Sequence, residues 1–232
     1  LQKPKIPHYF ALQSAFMTGQ TPTEQSLETL QDIKRMMERS SRFISLSGLS
    51  GVSAGVCALI GAWIAHRWID AYLVIAPTEA PTESLRGETR DIFEGRMLAL
   101  ALGVLVAALA TSTFFTWRKA RRSQLPIWDH ASKRLAVNMI IPLVAGGFFV
   151  LGLLDHAGWQ YVAPACLVFY GLALVNASKY TLTDIRYLGL LEIVLGCVNM
   201  YYPHEGLYFW AAGFGVLHIV YGLIMWWKYE RT

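Results

Sequence analysis

The sequence predicts an all-helical membrane protein: a polytopic bundle of six transmembrane helices, laid out as three in–out–in hairpins, with an amphipathic helix ahead of it. Three observations carry this. Of 232 residues, 54% are hydrophobic and 16% charged, against about 25% charged in an ordinary soluble domain. The charges are gathered between long uncharged tracts instead of recurring at every helical turn. Those tracts are long enough to cross a hydrocarbon core of about 30 Å, which takes about 20 apolar residues in a helix. A disordered chain, a fibrous repeat and a soluble globular domain are all excluded.

The uncharged runs place the spans at about 43–71, 97–117, 135–154, 157–178, 187–204 and 206–227. The fifth carries one charged residue, Glu192, and the first has Arg67 and Asp70 at its far end; the other runs hold no Asp, Glu, Lys or Arg. Helices are the only open-ended elements that satisfy their own peptide groups in lipid. A barrel is excluded because period-two alternation is absent.

Basic residues in the short loops set the orientation. Lys34, Arg35, Arg39 and Arg42 precede the first span; Arg118, Lys119, Arg121, Arg122, Lys133 and Arg134 lie between the second and third. Lys179 and Arg186 lie between the fourth and fifth, with Lys228 and Arg231 after the sixth. The intervening turns at Asp155–His156 and Pro203–Glu205 have no Lys or Arg, and the stretch Ala76–Arg96 reads as an acidic outer loop. Both termini are therefore expected in the cytoplasm.

Residues 1–22 read as a flexible segment without the apolar core of a secretory signal peptide. Over 23–42, Thr21-Pro22-Thr23-Glu24 fits a helix start, and Leu27, Leu30, Ile33 and Met37 recur at helical spacing. This amphipathic cytoplasmic helix could lie on headgroups, pack under the bundle or receive a soluble partner.

Within the bundle, Tyr170-Gly171-Leu172 recurs as Tyr221-Gly222-Leu223 and Lys179-Tyr180 as Lys228-Tyr229, so the last two hairpins read as copies. Ser47, Gly51 and Gly55 form a small-residue stripe at four-residue spacing. Such a stripe lets backbones approach, either within this bundle or against a second copy or another membrane protein.

Ionisable groups inside spans are costly and mark functional positions. Glu192 and His218 are such groups, and a tight hairpin of the fifth and sixth helices would bring them together. Asn199, Tyr221 and Tyr170 are the polar side chains within reach. A carboxylate and an imidazole at that depth could relay a proton or bind a cation; the alternative is a neutral, hydrogen-bonded pair. On the cytoplasmic side, Lys179, Asp184 and Arg186 could form an ion-pair cluster, and Thr181-Leu182-Thr183-Asp184 has the form of a helix start.

No metal or cofactor is expected. Cys57, Cys166 and Cys197 lack metal or disulfide spacing, and no second histidine shares the level of His218 to hold a haem. There is no phosphate loop, nucleophile elbow or metalloprotease pair, so no catalytic residue is assigned. The net charge of +4 belongs to membrane-anchoring residues, with no nucleic-acid partner implied.

The segments Phe43–Gly51, following Met36-Met37-Glu38-Arg39-Ser40-Ser41, Lys179–Tyr187 and Gly213–Gly222 resemble a family of small six-span membrane proteins from Bacteroidota. The resemblance covers nearly everything after Thr23 and implies a bacterial inner membrane; it supplies no activity, ligand or catalytic residue. Two functions follow. The first is a non-enzymatic scaffold, accessory or regulatory subunit that holds a partner through the amphipathic helix or the Ser47/Gly51/Gly55 stripe. The alternative is a small proton- or cation-coupled transporter or channel using Glu192 and His218.

Overall fold

The computed structural model describes residues 30, 47–79, 83–122, 130–156 and 158–231, and among these there are helices and turns but no strand. Residues Phe43–Thr232 form one compact unit. The expected amphipathic helix 23–42 lies outside the described residues, apart from Leu30, which is helical.

The elements are α1 (Gly48–Glu79), α2 (Glu83–Arg122), α3 (His130–Asp155), α4 (Val162–Ala177) and α5 (Asp184–Asn199). A 3₁₀ turn, Trp159–Tyr161, leads into α4. The last span joins a 3₁₀ turn (Pro203–Glu205), α6 (Gly206–Trp210), a π-helical segment (Ala211–Leu217) and α7 (His218–Tyr229).

Five stretches are long and apolar enough to cross a membrane: Gly48–Leu73, Arg90–Arg122, His130–Asp155, Trp159–Ala177 and Pro203–Tyr229. The remaining expected span, the fifth at 187–204, is shorter. At 16 residues, α5 is about 24 Å long at 1.5 Å per residue, and the turn from Met200 to Tyr202 ends it before His204.

The stretch Ala76–Arg96, expected as a loop, is helical except for residues 80–82, which lie outside the described residues. Charge counting finds where lipid ends, not where the helix ends. At this end of the two helices Tyr72 stacks on Phe93 with ring centroids 4.3 Å apart. Arg90 Nε also donates to Glu94 Oε1 at 2.6 Å across one turn of α2, a spacing that supports a solvated helix.

Close backbone approach organises the interior. A Cβ on Gly171 would stand 2.6 Å from the Gly189 carbonyl, and one on Gly189 would stand 2.7 Å from the Gly171 carbonyl. Thus α4 and α5 touch main chain to main chain, gaining dispersion contacts where lipid offers no hydrophobic drive. The Ser47/Gly51/Gly55 stripe is used in the same way inside this chain. Gly51 faces the Gly222 Cα and the His218 carbonyl, and Gly55 faces the Gly215 carbonyl and Ile219. The last span is therefore held between α1 on one side and α4 with α5 on the other. In the two copied Tyr-Gly-Leu segments, Gly171 and Gly222 each seat a neighbouring helix.

At the end bearing the basic residues, the chain closes on itself. Glu230 accepts hydrogen bonds from the Gly48 backbone N–H at 2.5 Å and from Ser47 Oγ at 3.2 Å, and Lys119 Nζ reaches it at 3.3 Å. A carboxylate at a helix N-terminus satisfies free N–H groups and meets the positive end of the dipole. In contrast, α2 and α3 flank the bundle with long rows of exposed apolar side chains, Leu102, Val106, Leu109 and Phe114 on one and Ile141, Val144, Phe148 and Leu151 on the other.

Candidate functional site

Three helical segments deliver the polar residues of the interior to one place. Gly171 and Gly189 bring α5 hard against α4, which turns Glu192, three residues on from Gly189, into the interior. The π-helical segment then carries Gly213 over the carboxylate, where a Cβ would overlap Glu192 Oε2. A side chain there would push aside the Glu192 carboxylate and the end of the Leu167 side chain. The same segment presents the Gly213 carbonyl to a side chain five residues on, His218. Single π-helical turns inside α-helices are frequent at functional sites.

Glu192 is fully buried at 0% exposure and His218 nearly so at 7%. His218 Nδ1 lies 3.0 Å from the Gly213 carbonyl and 3.4 Å from Glu192 Oε1. On the other side of the ring, the Tyr170 hydroxyl lies 2.7 Å from Nε2. With its proton on Nδ1, the imidazole donates to Gly213 and accepts from Tyr170. Glu192 then stands within ion-pair range, yet neither of its oxygens has a directed hydrogen bond. Phe214 walls the group, its ring centroid 5.0 Å from that of Tyr170 and 6.0 Å from that of His218.

This order of groups, phenol then imidazole then carboxyl, can hold one proton in two places. Either the carboxyl is the acid beside a neutral imidazole, or, Nδ1 already carrying a proton, the second proton sits on Nε2 and a carboxylate faces an imidazolium that donates to the Tyr170 hydroxyl. Both arrangements are neutral overall, as a buried site requires.

Of the five residues expected at an intramembrane polar site, the structure brings three together: Glu192, His218 and Tyr170. Asn199 is buried but lies two turns further along α5, where its Nδ2 donates to the Tyr202 carbonyl at 2.9 Å. Tyr221 is elsewhere, packed against Leu174, Ile185, Leu188 and Met225. It is one turn from His218 in sequence, and Tyr170 packs on the same cluster.

The expected Lys179/Asp184/Arg186 cluster does not form. Lys179 Nζ donates to Asn176 Oδ1 at 3.2 Å. Asp184 instead accepts from Lys228 Nζ at 2.9 Å and from the Tyr229 hydroxyl at 2.7 Å, while Arg186 is exposed. Neighbours in sequence lost to a pair across the hairpin, because the end of α7 returns beside the start of α5. Partial burial alone would raise the Asp184 carboxyl, but the hydrogen bonds from Lys228 and Tyr229 outweigh it and hold it below the usual carboxylate range. Thr181 is not the cap of α5; the helix begins at Asp184 after Thr183, without a side-chain capping bond.

Two features escaped the sequence reading. Gly213 lay in an apolar glycine-containing stretch with nothing to mark the π turn, which only the folded backbone shows. The other is Asn176, whose Nδ2 donates to the Asn138 carbonyl at 2.8 Å. Its signal was Pro142, inside α3, which must leave the carbonyl four residues back without a helical donor.

Among the described residues, no three His, Cys, Asp or Glu side chains gather as metal ligands. The three cysteines are free thiols. Comparison with protein-family models, with curated proteins and with solved structures finds no match to this chain.

Proposed function

We propose that the chain is a multi-pass protein of a bacterial inner membrane that takes up and releases a proton at the Glu192–His218–Tyr170 site, and so couples proton movement to transport. Both termini face the cytoplasm and α5 makes the fifth of six crossings. The positions of the basic residues support this orientation, and the resemblance of Phe43–Gly51, Lys179–Tyr187 and Gly213–Gly222 to Bacteroidota proteins supports the address. The exposed apolar rows on α2 and α3 suit contact with lipid tails.

The observation that carries the reading is a fully buried carboxyl, free of directed hydrogen bonds, 3.4 Å from an imidazole. A structural role would be served more cheaply by a hydrogen-bonded amide, since an unpaired buried polar group costs about 1–3 kcal/mol. The scaffold reading rested partly on the Ser47/Gly51/Gly55 stripe. With α7 and the π-helical segment covering it, the stripe offers no face to a partner.

Infrared difference spectra of the purified protein in lipid, recorded across pH, test the proposal. A carboxyl band that grows and fades with pH in the wild type and is absent in Glu192→Gln is expected. His218→Gln should move its midpoint. No Glu192-dependent change at any pH where the protein stays folded overturns it.

A further inference from the structure

Among the described residues, four buried side-chain atoms have no hydrogen-bond partner: Glu192 Oε1, Glu192 Oε2, Asn199 Oδ1 and Trp159 Nε1. They are not scattered. Asn199 is seven residues beyond Glu192 on α5, which is two turns, about 10.5 Å, and only about 20° off the same face. The opposing helix repeats that step. Gly213 stands over Glu192, and Gly206, seven residues earlier, stands over Asn199, a Cβ there lying 3.9 Å from Oδ1 and 3.2 Å from the Ala163 Cβ. Trp159 comes one turn before Ala163 on the segment leading into α4. All the orphaned atoms thus follow the α4–α5–last-span interface, from Glu192 toward the turn end of the bundle.

The opposite direction is closed. Between the site and the Asp184–Lys228 pair lies an apolar plug of Leu174, Ile185, Leu188 and Met225, with Leu182, Leu217, Tyr221 and the site's own Tyr170 packed on it. An apolar plug offers water no partners, whereas a buried water needs two to four.

We propose that the Glu192 site exchanges protons with one side only in this conformation, the side of the 199–206 turn, through water admitted along Asn199 and Trp159. Three waters in file, at about 2.8 Å per hydrogen bond, cover the two turns between Glu192 and Asn199. Asn199 Oδ1 accepts from the file, and Trp159 Nε1–H donates to it nearer the surface. The ligand is water and the hydronium it relays. The assignment rests on the proton-site reading above and adds the side of access and the residues that form it.

The test is deuterium exchange of the Glu192 carboxyl, read as the isotope shift of its infrared band after transfer to D₂O. Asn199→Leu keeps the volume and removes the acceptor; Trp159→Phe removes the donor. Each should slow exchange by roughly tenfold or more, the factor for one lost hydrogen bond on the path. Met225→Ala, at the plug, should leave the rate unchanged. The nitrogen resonances of His218 report whether each variant keeps its site; should Asn199→Leu not fold, Trp159→Phe and Asn199→Ala carry the test. Unchanged exchange in the folded Asn199 and Trp159 variants overturns the assignment, as does exchange slowed just as much in Met225→Ala. A wild-type band that never responds to pH instead removes the proton site itself.

Discussion

The side-chain amide of Asn176 on α4 donates a hydrogen bond to the main-chain carbonyl of Asn138 on α3 at 2.8 Å, and that carbonyl is the one Pro142 leaves without a helical donor. One helix repairs the backbone of its neighbour. In lipid no water stands ready to do so, so the bond ties the position of α3 to a single side chain on α4.

Asn176→Ala should lower stability in detergent by about 1–2 kcal/mol, the cost of an unsatisfied buried carbonyl tempered by the modest worth of interhelical hydrogen bonds in membranes. Pro142→Ala restores the donor within α3. In that background Asn176→Ala should cost measurably less, and a double-mutant cycle on thermal unfolding gives the coupling. Equal costs in both backgrounds would show that Asn176 acts some other way.

Glycines that seat a helix and glycines that merely interrupt one should part company on substitution. A Cβ on Gly222 would meet the Gly48 carbonyl and the Val52 nitrogen, both at 2.6 Å. Main chain cannot swing aside, so Gly222→Ala should destabilise by about 1–3 kcal/mol, as overpacking does. Gly152, inside α3, has nothing within 4 Å of its Cβ position. Gly152→Ala should be neutral or gain about 0.5–1 kcal/mol from helix propensity. Melting temperatures of the two variants decide it.

How far the fold could be read beforehand follows from what each signal measures. Uncharged length reports lipid, and its five long runs fall within seven residues, at either end, of the helical stretches long and apolar enough to cross a membrane. It says nothing of where a helix stops in water, so α1 and α2 run on through the stretch around Tyr72 and Phe93 that read as loop. Charges in the loops named Asp184 as a pairing residue but chose neighbours in sequence, because the return of Lys228 depends on how α7 lies against α5. Glu192, His218 and Tyr170 stood out as polar groups in apolar tracts. The π turn that joins them is a property of the folded backbone, and the link between Glu230 and Gly48 spans nearly the whole chain, beyond any local pattern.

The Asp184–Lys228–Tyr229 contact should give stability a definite pH dependence. The Asp184 carboxyl is held below its ordinary value despite the opposing effect of burial, by hydrogen bonds from Lys228 and Tyr229. A carboxyl lowered on folding contributes stability that is whole above its unfolded value, about 3.9, and is lost as pH falls through the lower, folded one. The melting-temperature difference between wild type and Asp184→Asn should thus hold from pH 7 to about pH 5 and close only below about pH 4. It should be small and shrink in high salt, because Lys228 is 54% exposed and exposed pairs are screened. A difference that closes near neutral pH would assign it to another group.

Tyr170→Phe separates a proton-handling role from a structural one. The phenyl ring keeps the contacts with Phe214 and His218 and removes only the hydroxyl that sits 2.7 Å from His218 Nε2. Stability should fall by about 1 kcal/mol, the usual worth of one hydrogen bond. If Tyr170 did no more than fill space, the melting temperature would be all that changed. On the proposed proton site, the far end of the phenol–imidazole–carboxyl line would set how readily the imidazole takes a proton, and Glu192 would titrate against that imidazole. Its loss should therefore move the pH midpoint of the Glu192 infrared band and shift the Nε2 resonance of His218. Glu192→Gln, by contrast, abolishes the band outright. A Tyr170→Phe protein that melts lower but titrates as the wild type does would leave Tyr170 outside the site and reduce it to the pair of Glu192 and His218.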